Sequence, residues 1–426
     1  MISTEEARAQ GRKAAEKACD GNRAGGDVWR KMKNLFKWAT TSYPALAGLD
    51  LKKMMLEFSE ERMNVDLDLA RYPECRGLRE AVEARRKGFA EIIDEPIAAA
   101  IEFDWNWFCS RRLSTRFVSV LPPESKCTSF WFSDSKEGGA VQGDNGDDVT
   151  FFYEDGFAPP PETGPSETRF TKVTQIGCVS SAVLCDEEPE SLFPVELDWV
   201  RPDFTDLTEF IAFMERYREF WGPGNYLFID PDMNLAAVEK ANIRMGVRYS
   251  RGWAAITACA YLIPEMNDFH HERARRSFEA RGWGEDNPDA AFWAGAEKRY
   301  HRLLELVEKE YERGATVLGA AQIALDHAVP FPDRICLEGQ KGHPDLLYAN
   351  WTIVSSAACV AGPNRRELYW VIDPTNPQPI YTTPCHVIPG EGLEARRAEW
   401  EQEVAQAGEI GLNPPPYEKE CCEQNP

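Results

Sequence analysis

Apolar and polar positions along the chain alternate between two periods. Residues 1–126 carry mostly the helical one. An amphipathic stretch opens at Thr4-Glu5-Glu6 and runs to about Lys17, and a second apolar stripe passes through Leu35, Trp38, Leu46 and Leu49. Leu78, Val82, Phe89, Ile92 and Ile93 make a third, with Pro96 as a break or a new first turn. Further on, Asp206-Leu207-Thr208-Glu209 predicts a capped helix with Leu207, Phe210, Ile211, Met214 and Tyr217 on one face. Asn287-Pro288 predicts a long helix with Trp293, Tyr300, Leu303 and Val307 in a stripe, ended by Gly314; Val317–His327 predicts another. Between these lie strands. Phe130-Trp131-Phe132 and Val141–Asp147 flank Gly138-Gly139 as one hairpin. Tyr226–Ile229 with Leu235–Glu239, and Trp351–Val360 with Glu367–Asp373, predict two more; Met245–Tyr249 and Trp253–Leu262 add strands. Both faces of most strands are apolar, so the sheets are expected to be covered on both sides, between helices. The fold class from periodicity is α+β.

Composition narrows the class. The 426 residues are 43% hydrophobic and 28% charged, a globular balance, with no apolar run of transmembrane length. A formal charge of −22 disfavours nucleic acid and anionic membranes as partners. Twelve cysteines with no apolar leader and no repeated Cys-x-x-Cys pair suggest reduced thiols in a cytoplasmic protein, with neither a structural zinc site nor any other metal. His270-His271 with Glu265 and Glu272 fits a solvated helix face better than a metal cluster, because adjacent histidines point different ways. Glu239 is expected to be an internal ion-pair partner, with Arg244 or Arg248 opposite.

The candidate chemistry sits in residues 127–148. Cys127-Thr128-Ser129 sets a thiol beside two hydroxyls at one end of the predicted hairpin. Gln142-Gly143-Asp144-Asn145-Gly146-Asp147 brings polar groups back toward it. Pro122–Lys126 before the thiol reads as an extended, exposed linker. By itself a lone Cys before an aromatic run is more often a small buried hydrophobe than a nucleophile.

The pattern Cys127-Thr128-Ser129, strand, glycine turn, Gln142-Gly143-x-Asn145-x-Asp147 resembles the start of the mature subunit in the peptidase C45 family. These are relatives of acyl-coenzyme A:6-aminopenicillanic-acid acyltransferase, among the N-terminal-nucleophile (Ntn) hydrolases. The resemblance extends more weakly to Pro384-Cys385. It implies a four-layer αββα sandwich at 127–412, after the mainly helical segment 1–126; the polar, Pro-rich composition after Asn413 predicts a flexible tail, 413–426. It implies self-cleavage between Lys126 and Cys127, after which the two subunits stay together as a heterodimer. Cys127 would be the nucleophile for a small amide or acyl-thioester substrate, with no cofactor. Asp147 stands where the family has a carboxylate that orients the new amino terminus, and Asn145 where the hairpin tip or a substrate carbonyl is held. Thr128 and Ser129 would support the nucleophile by hydrogen bonds.

The chain departs from the family pattern at three places: Lys126 replaces a glycine, Ala258 an oxyanion-donating asparagine, and Leu337 a carboxylate-gripping arginine. Asp326-His327 is either an acid–base pair or a helix-end histidine. Three functional readings therefore stand: a self-processing acyl-transfer enzyme, an uncleaved relative acting as a scaffold, and a conventional Cys127/His327 hydrolase.

Overall fold

The computed structural model describes residues 2–19, 48–64, 67–108, 128–136, 140–149, 174–180, 199, 204, 206–221, 224–230, 232–241, 244–257, 260–281, 284, 288–324, 326, 328–329, 333, 335, 351–362, 365–372 and 386–388. Outside these fall Lys126, Cys127, Ala258, His327, Leu337, Cys385 and the tail, together with the stripe at Leu35–Leu46. The chain is a mixed helix-and-sheet protein that divides into two compact units. One comprises Met1–Leu121, Cys185–Phe204 and Ala212–Gly222, and the other Pro122–Leu184, Thr205–Ile211 and Pro223–Pro426.

The first unit contains helices α1 (Thr4–Ala18), α2 (Leu51–Asn64), α3 (Leu78–Ala90) and α4 (Pro96–Trp107). Ser3 caps α1: its Oγ accepts from the Glu6 amide at 3.2 Å while its own N–H donates to Glu6 Oε2 at 3.0 Å. Helix α1 presents Ala7, Gly11, Ala15 and Ala18 to α3. The approach is so close that a Cβ on Gly11 would sit 2.8 Å from the Arg85 carbonyl carbon and nearer its oxygen. A Cβ on Gly88 would meet Arg8 in the same way. Around this crossing, Ala7, Tyr72, Cys75, Leu78, Ala81, Val82, Trp199, Tyr217 and Phe220 form one apolar cluster. Helices α2, α3 and α4 share a buried ionic knot. The Asp104 carboxylate accepts from Arg62 Nη1 at 2.5 Å, Ser59 Oγ at 2.6 Å, and Arg86 Nη2.

The second unit holds two antiparallel sheets. Their strands are β1 (Thr128–Phe132), β2 (Ala140–Val149), β3 (Thr174–Ser180), β4 (Gly224–Ile229), β5 (Asn234–Lys240), β6 (Met245–Arg251), β7 (Trp253–Thr257), β8 (Trp351–Gly362), β9 (Arg365–Ile372) and β10 (His386–Ile388). The larger sheet runs β10-β9-β8-β2-β1-β7 and the smaller β3-β4-β5-β6. All three predicted hairpins form, as β1–β2, β4–β5 and β8–β9.

The helices also follow the pattern. Helix α5 is Leu207–Arg216, and its first turn is capped by Asp206 Oδ1 accepting from the Glu209 amide at 2.8 Å. Next come α6 (Pro264–Arg281), α7 (Pro288–Arg313) and α8 (Val317–Ala324). Gly314 ends α7 with φ of 81°, a left-handed position that suits glycine. Helix α7 packs on β7 and α8 on β2 and β8, while the smaller sheet lies against β7. On that sheet's other face the Phe210 ring of α5 meets Phe228, 4.7 Å between centroids.

The strand expected over Trp253–Leu262 stops at Thr257. Its continuation bonds to side chains instead of to a ladder, as the next section describes. The helix expected to reach His327 ends its regular turns at Ala324 and closes with the Asp326 amide on the Ile323 carbonyl.

Candidate active site

Strand β1 is the centre of the site because it is flanked on both edges. Thr128 pairs across to Asn145 of β2 and to Thr257 of β7; Ser129 pairs to Asp144 and Ile256. Strand alternation therefore puts Thr128 and Thr257 on one face and Ser129, Trp131 and Gln142 on the other. All five residues of β1 are buried. The two hydroxyls at its start differ in their partners. Ser129 Oγ accepts from Gln142 Nε2 at 3.4 Å. Thr128 Oγ1 is buried and has no hydrogen-bond partner among the described residues. Leaving a buried hydroxyl unmatched costs about 1–3 kcal/mol. Asp147, placed by backbone register alone, pairs with Ile353 of β8 just past a register shift after Gly146.

Gly143, inside the motif, is explained by packing. Its strand backbone is ordinary, yet a Cβ there would lie 2.6 Å from Phe130 Cε1 and Cε2 and closer to Cζ. The buried Phe130 ring occupies the space that any side chain at 143 would take.

One wall of the site comes from the smaller sheet. Among the described residues strand β7 pairs only with β1, so its outward carbonyls need other partners. Ala255 O accepts from Tyr300 OH of α7 at 2.8 Å and from Arg248 Nη2 at 3.4 Å. Thr257 O accepts from Asn225 Nδ2 at 2.6 Å, and the same nitrogen donates to Ala260 O at 3.0 Å. Directly opposite Asn225 on β5 is Glu239, and its two carboxylate oxygens accept from the Leu262 and Ile263 amides, each at 2.9 Å. Arg248 Nε donates to the same carboxylate at 2.9 Å, which is the expected ion pair. An amide that gives to carbonyls and a carboxylate that takes from amides thus hold the segment after β7. Burial pushes the Tyr300 phenol well above its ordinary range, keeping it a donor.

Asn225 was not singled out from the sequence. It is buried, and its Oδ1 has no partner among the described residues. A lone amide opening the apolar run Tyr226–Ile229 was the only signal. The carboxamide orientation is fixed by chemistry: flipped, it would turn its oxygen onto two carbonyl oxygens.

The remaining candidates lie in other surroundings. The Asp326 carboxylate accepts from Arg302 Nε at 3.1 Å and Nη2 at 2.9 Å, a paired arrangement that raises the Arg302 pKa. On α6, Glu272 pairs with Arg276, and His271 lies 3.4 Å from Glu297. No group of three His, Cys, Asp or Glu that could hold a metal occurs among the described residues. No described helix is long and apolar enough to cross a membrane. The sequence matches no protein-family model, and a search of curated proteins also finds no match.

Proposed function

We propose that the chain is a self-processing cysteine Ntn hydrolase or acyltransferase that works through a thioester on Cys127. The observation that carries this reading is the start of β1. The residue after the thiol is buried between two strands, pairs with Asn145 in the backbone ladder, and has a hydroxyl with no described partner. The order of packed layers supports the αββα form of the reading. Helix α5 lies on the smaller sheet, that sheet on β7 of the larger, and α7 and α8 on the larger one.

In processing, the Cys127 thiol attacks the Lys126 carbonyl carbon. The C–N bond breaks, the nitrogen leaves as an amine, and a thioester joins Lys126 to Cys127. Water then hydrolyses the thioester, releasing the Lys126 carboxylate and a free amino terminus. That α-amino group, with a pKa of about 8, serves as base for its own thiol. In turnover the thiol takes an acyl group from a small amide or acyl thioester, and water or an amine removes it. Asp147 orients the amino group, and Asn145 and Thr128 supply polar contacts near the reacting carbonyl. The scheme calls on neither a cofactor nor His327, and the Asp326 carboxylate already has Arg302 as partner.

Intact-mass measurement of wild type beside Cys127→Ala tests the proposal. Two fragments meeting at Lys126/Cys127, absent from the variant, are expected. A single full-length mass for wild type overturns self-processing.

A further inference from the structure

We infer that the outer edge of β6 is a docking surface for an extended acidic peptide of a partner protein, taken up as a further strand of the smaller sheet. The inference stands independently of the chemistry proposed at Cys127. Among the described residues β6 is the last strand of its sheet and pairs only with β5. Alternate residues of such a strand point their N–H and C=O groups away from the neighbour, toward a place another backbone can fill. Strands β1 and β4 are buried throughout, whereas no residue of β6 is fully buried. Strand alternation puts Met245, Val247, Tyr249 and Arg251 on one face. Tyr249 is 57% exposed, the most exposed large apolar side chain among the described residues, and Met245 and Val247 are half-buried. That strip offers an apolar surface to alternate side chains of an incoming strand.

Charge selects the occupant. The run Arg244–Arg251 carries three arginines and no carboxylate, in a chain of net charge −22. Arg248 is spent inward, on Glu239. Arg244 and Arg251 are exposed at the two ends of the edge, Arg244 lying over the Phe269 ring and Arg251 donating through Nε to Asn234 Oδ1. At physiological salt, screening over about 8 Å lets these nearby charges outweigh the distant net negative charge. Two β6 edges brought together would each present exposed arginines and no carboxylate, which opposes self-pairing. A peptide with a carboxylate at each end and alternating apolar side chains between them matches the seven residues of β6.

The test is fluorescence polarisation with the full chain and the labelled peptide Glu-Val-Thr-Val-Thr-Val-Glu at low and high salt. One control peptide has lysine at both ends. Another keeps the acidic sequence but is N-methylated at alternate residues, so that charge and side chains remain while strand pairing is blocked. Saturable, salt-sensitive binding of the acidic peptide is expected. It should weaken at least about tenfold with the N-methylated peptide, with lysine ends, and in Tyr249→Asp or Arg251→Glu chains shown to be folded by their thermal transitions. The N-methylated peptide needs no variant, so it decides even where a substitution unfolds the chain. No binding, binding that N-methylation leaves intact, or equal binding of the lysine-ended peptide overturns the inference. So does a wild-type dimer in sedimentation that Tyr249→Asp dissociates, which would assign the edge to a second copy.

Discussion

Gly143→Ala provides a direct test of how the motif divides between packing and chemistry. Gly143 sits opposite Phe130 in the β1–β2 ladder, and Phe130 is buried with its ring edge-on to Phe132 at 5.9 Å between centroids. A methyl at 143 would stand 2.6 Å from two ring carbons, where carbon contacts settle at about 3.5–4.0 Å. The overlap, about 1.5–2 Å at the nearest ring carbon, must be relieved by turning the ring or parting the strands, a cost of about 1–3 kcal/mol. Alanine also restricts the unfolded chain, which offsets about 0.4–1 kcal/mol because the strand backbone at 143 suits any residue. The net expectation is a loss of about 1–2 kcal/mol in denaturant unfolding of the full chain. Phe130→Leu alone should cost about 1–2 kcal/mol by leaving a gap. Together the two should cost no more than Phe130→Leu alone, a coupling of about 1–2 kcal/mol, since each removes the other's defect. Strict additivity, or Gly143→Ala as stable as wild type, would refute the packing account and return the glycine to the chemistry.

Two further outcomes follow from the first unit. Asp104→Ala removes the one carboxylate shared by Arg62 and Arg86 inside the protein, and should cost about 3–5 kcal/mol in urea unfolding. Glu91→Ala, which breaks the half-exposed contacts with Arg8 and Arg12, should cost no more than about 1 kcal/mol; equal losses would contradict the burial argument. Burial, with Glu74 adding to it, raises the Cys75 thiol to about 11, whereas Cys19 is exposed. Iodoacetamide at pH 8 should therefore label Cys19 well before Cys75 in the native protein, as read by peptide mass. The sign of the linkage is set by that raised value. Stability is unaffected by this thiol below its ordinary pKa of 9.0, and falls as pH climbs from there through about 11, where the unfolded chain ionises and the folded one resists. Equal labelling of the two thiols would contradict it.

The sequence made some of this legible because periodic signals survive in one dimension. The aromatic run Phe130-Trp131-Phe132 before a glycine turn, the stripe through Tyr300 and Leu303, and Asp206 before its helix all rest on neighbours within a few residues. The contacts that shape the site do not. Asn225 reaches carbonyls 32 and 35 residues away, and Glu239 reaches amides 23 and 24 residues on. No period announces such pairings. For the same reason Trp253–Leu262 reads as one strand: its apolar character is real, but apolarity does not tell a ladder from a buried segment whose polar groups bond to side chains. Glu239 with Arg248 was foreseeable because a buried carboxylate in an apolar strand demands a cation, and Arg248 lies nearby in sequence.

The position of β1 bears on what self-cleavage would do to the molecule. A cut before Cys127 would make the start of β1 a chain terminus, and termini ordinarily fray. This one would be held by five cross-strand pairs to β2 on one side and five to β7 on the other. Among the described residues no strand lies beyond β7, and Tyr300, Arg248 and Asn225 occupy its outer carbonyls. A side chain can cap a strand edge without offering the row of free backbone groups that invites another chain to pair. The arrangement therefore keeps the new terminus inside the sheet while leaving β7 closed to further strands. It also makes the placement of Thr128 depend on the second sheet staying in contact with the first. On the proposed scheme, loosening that contact should slow self-cleavage before it breaks the ten strand pairs that hold β1.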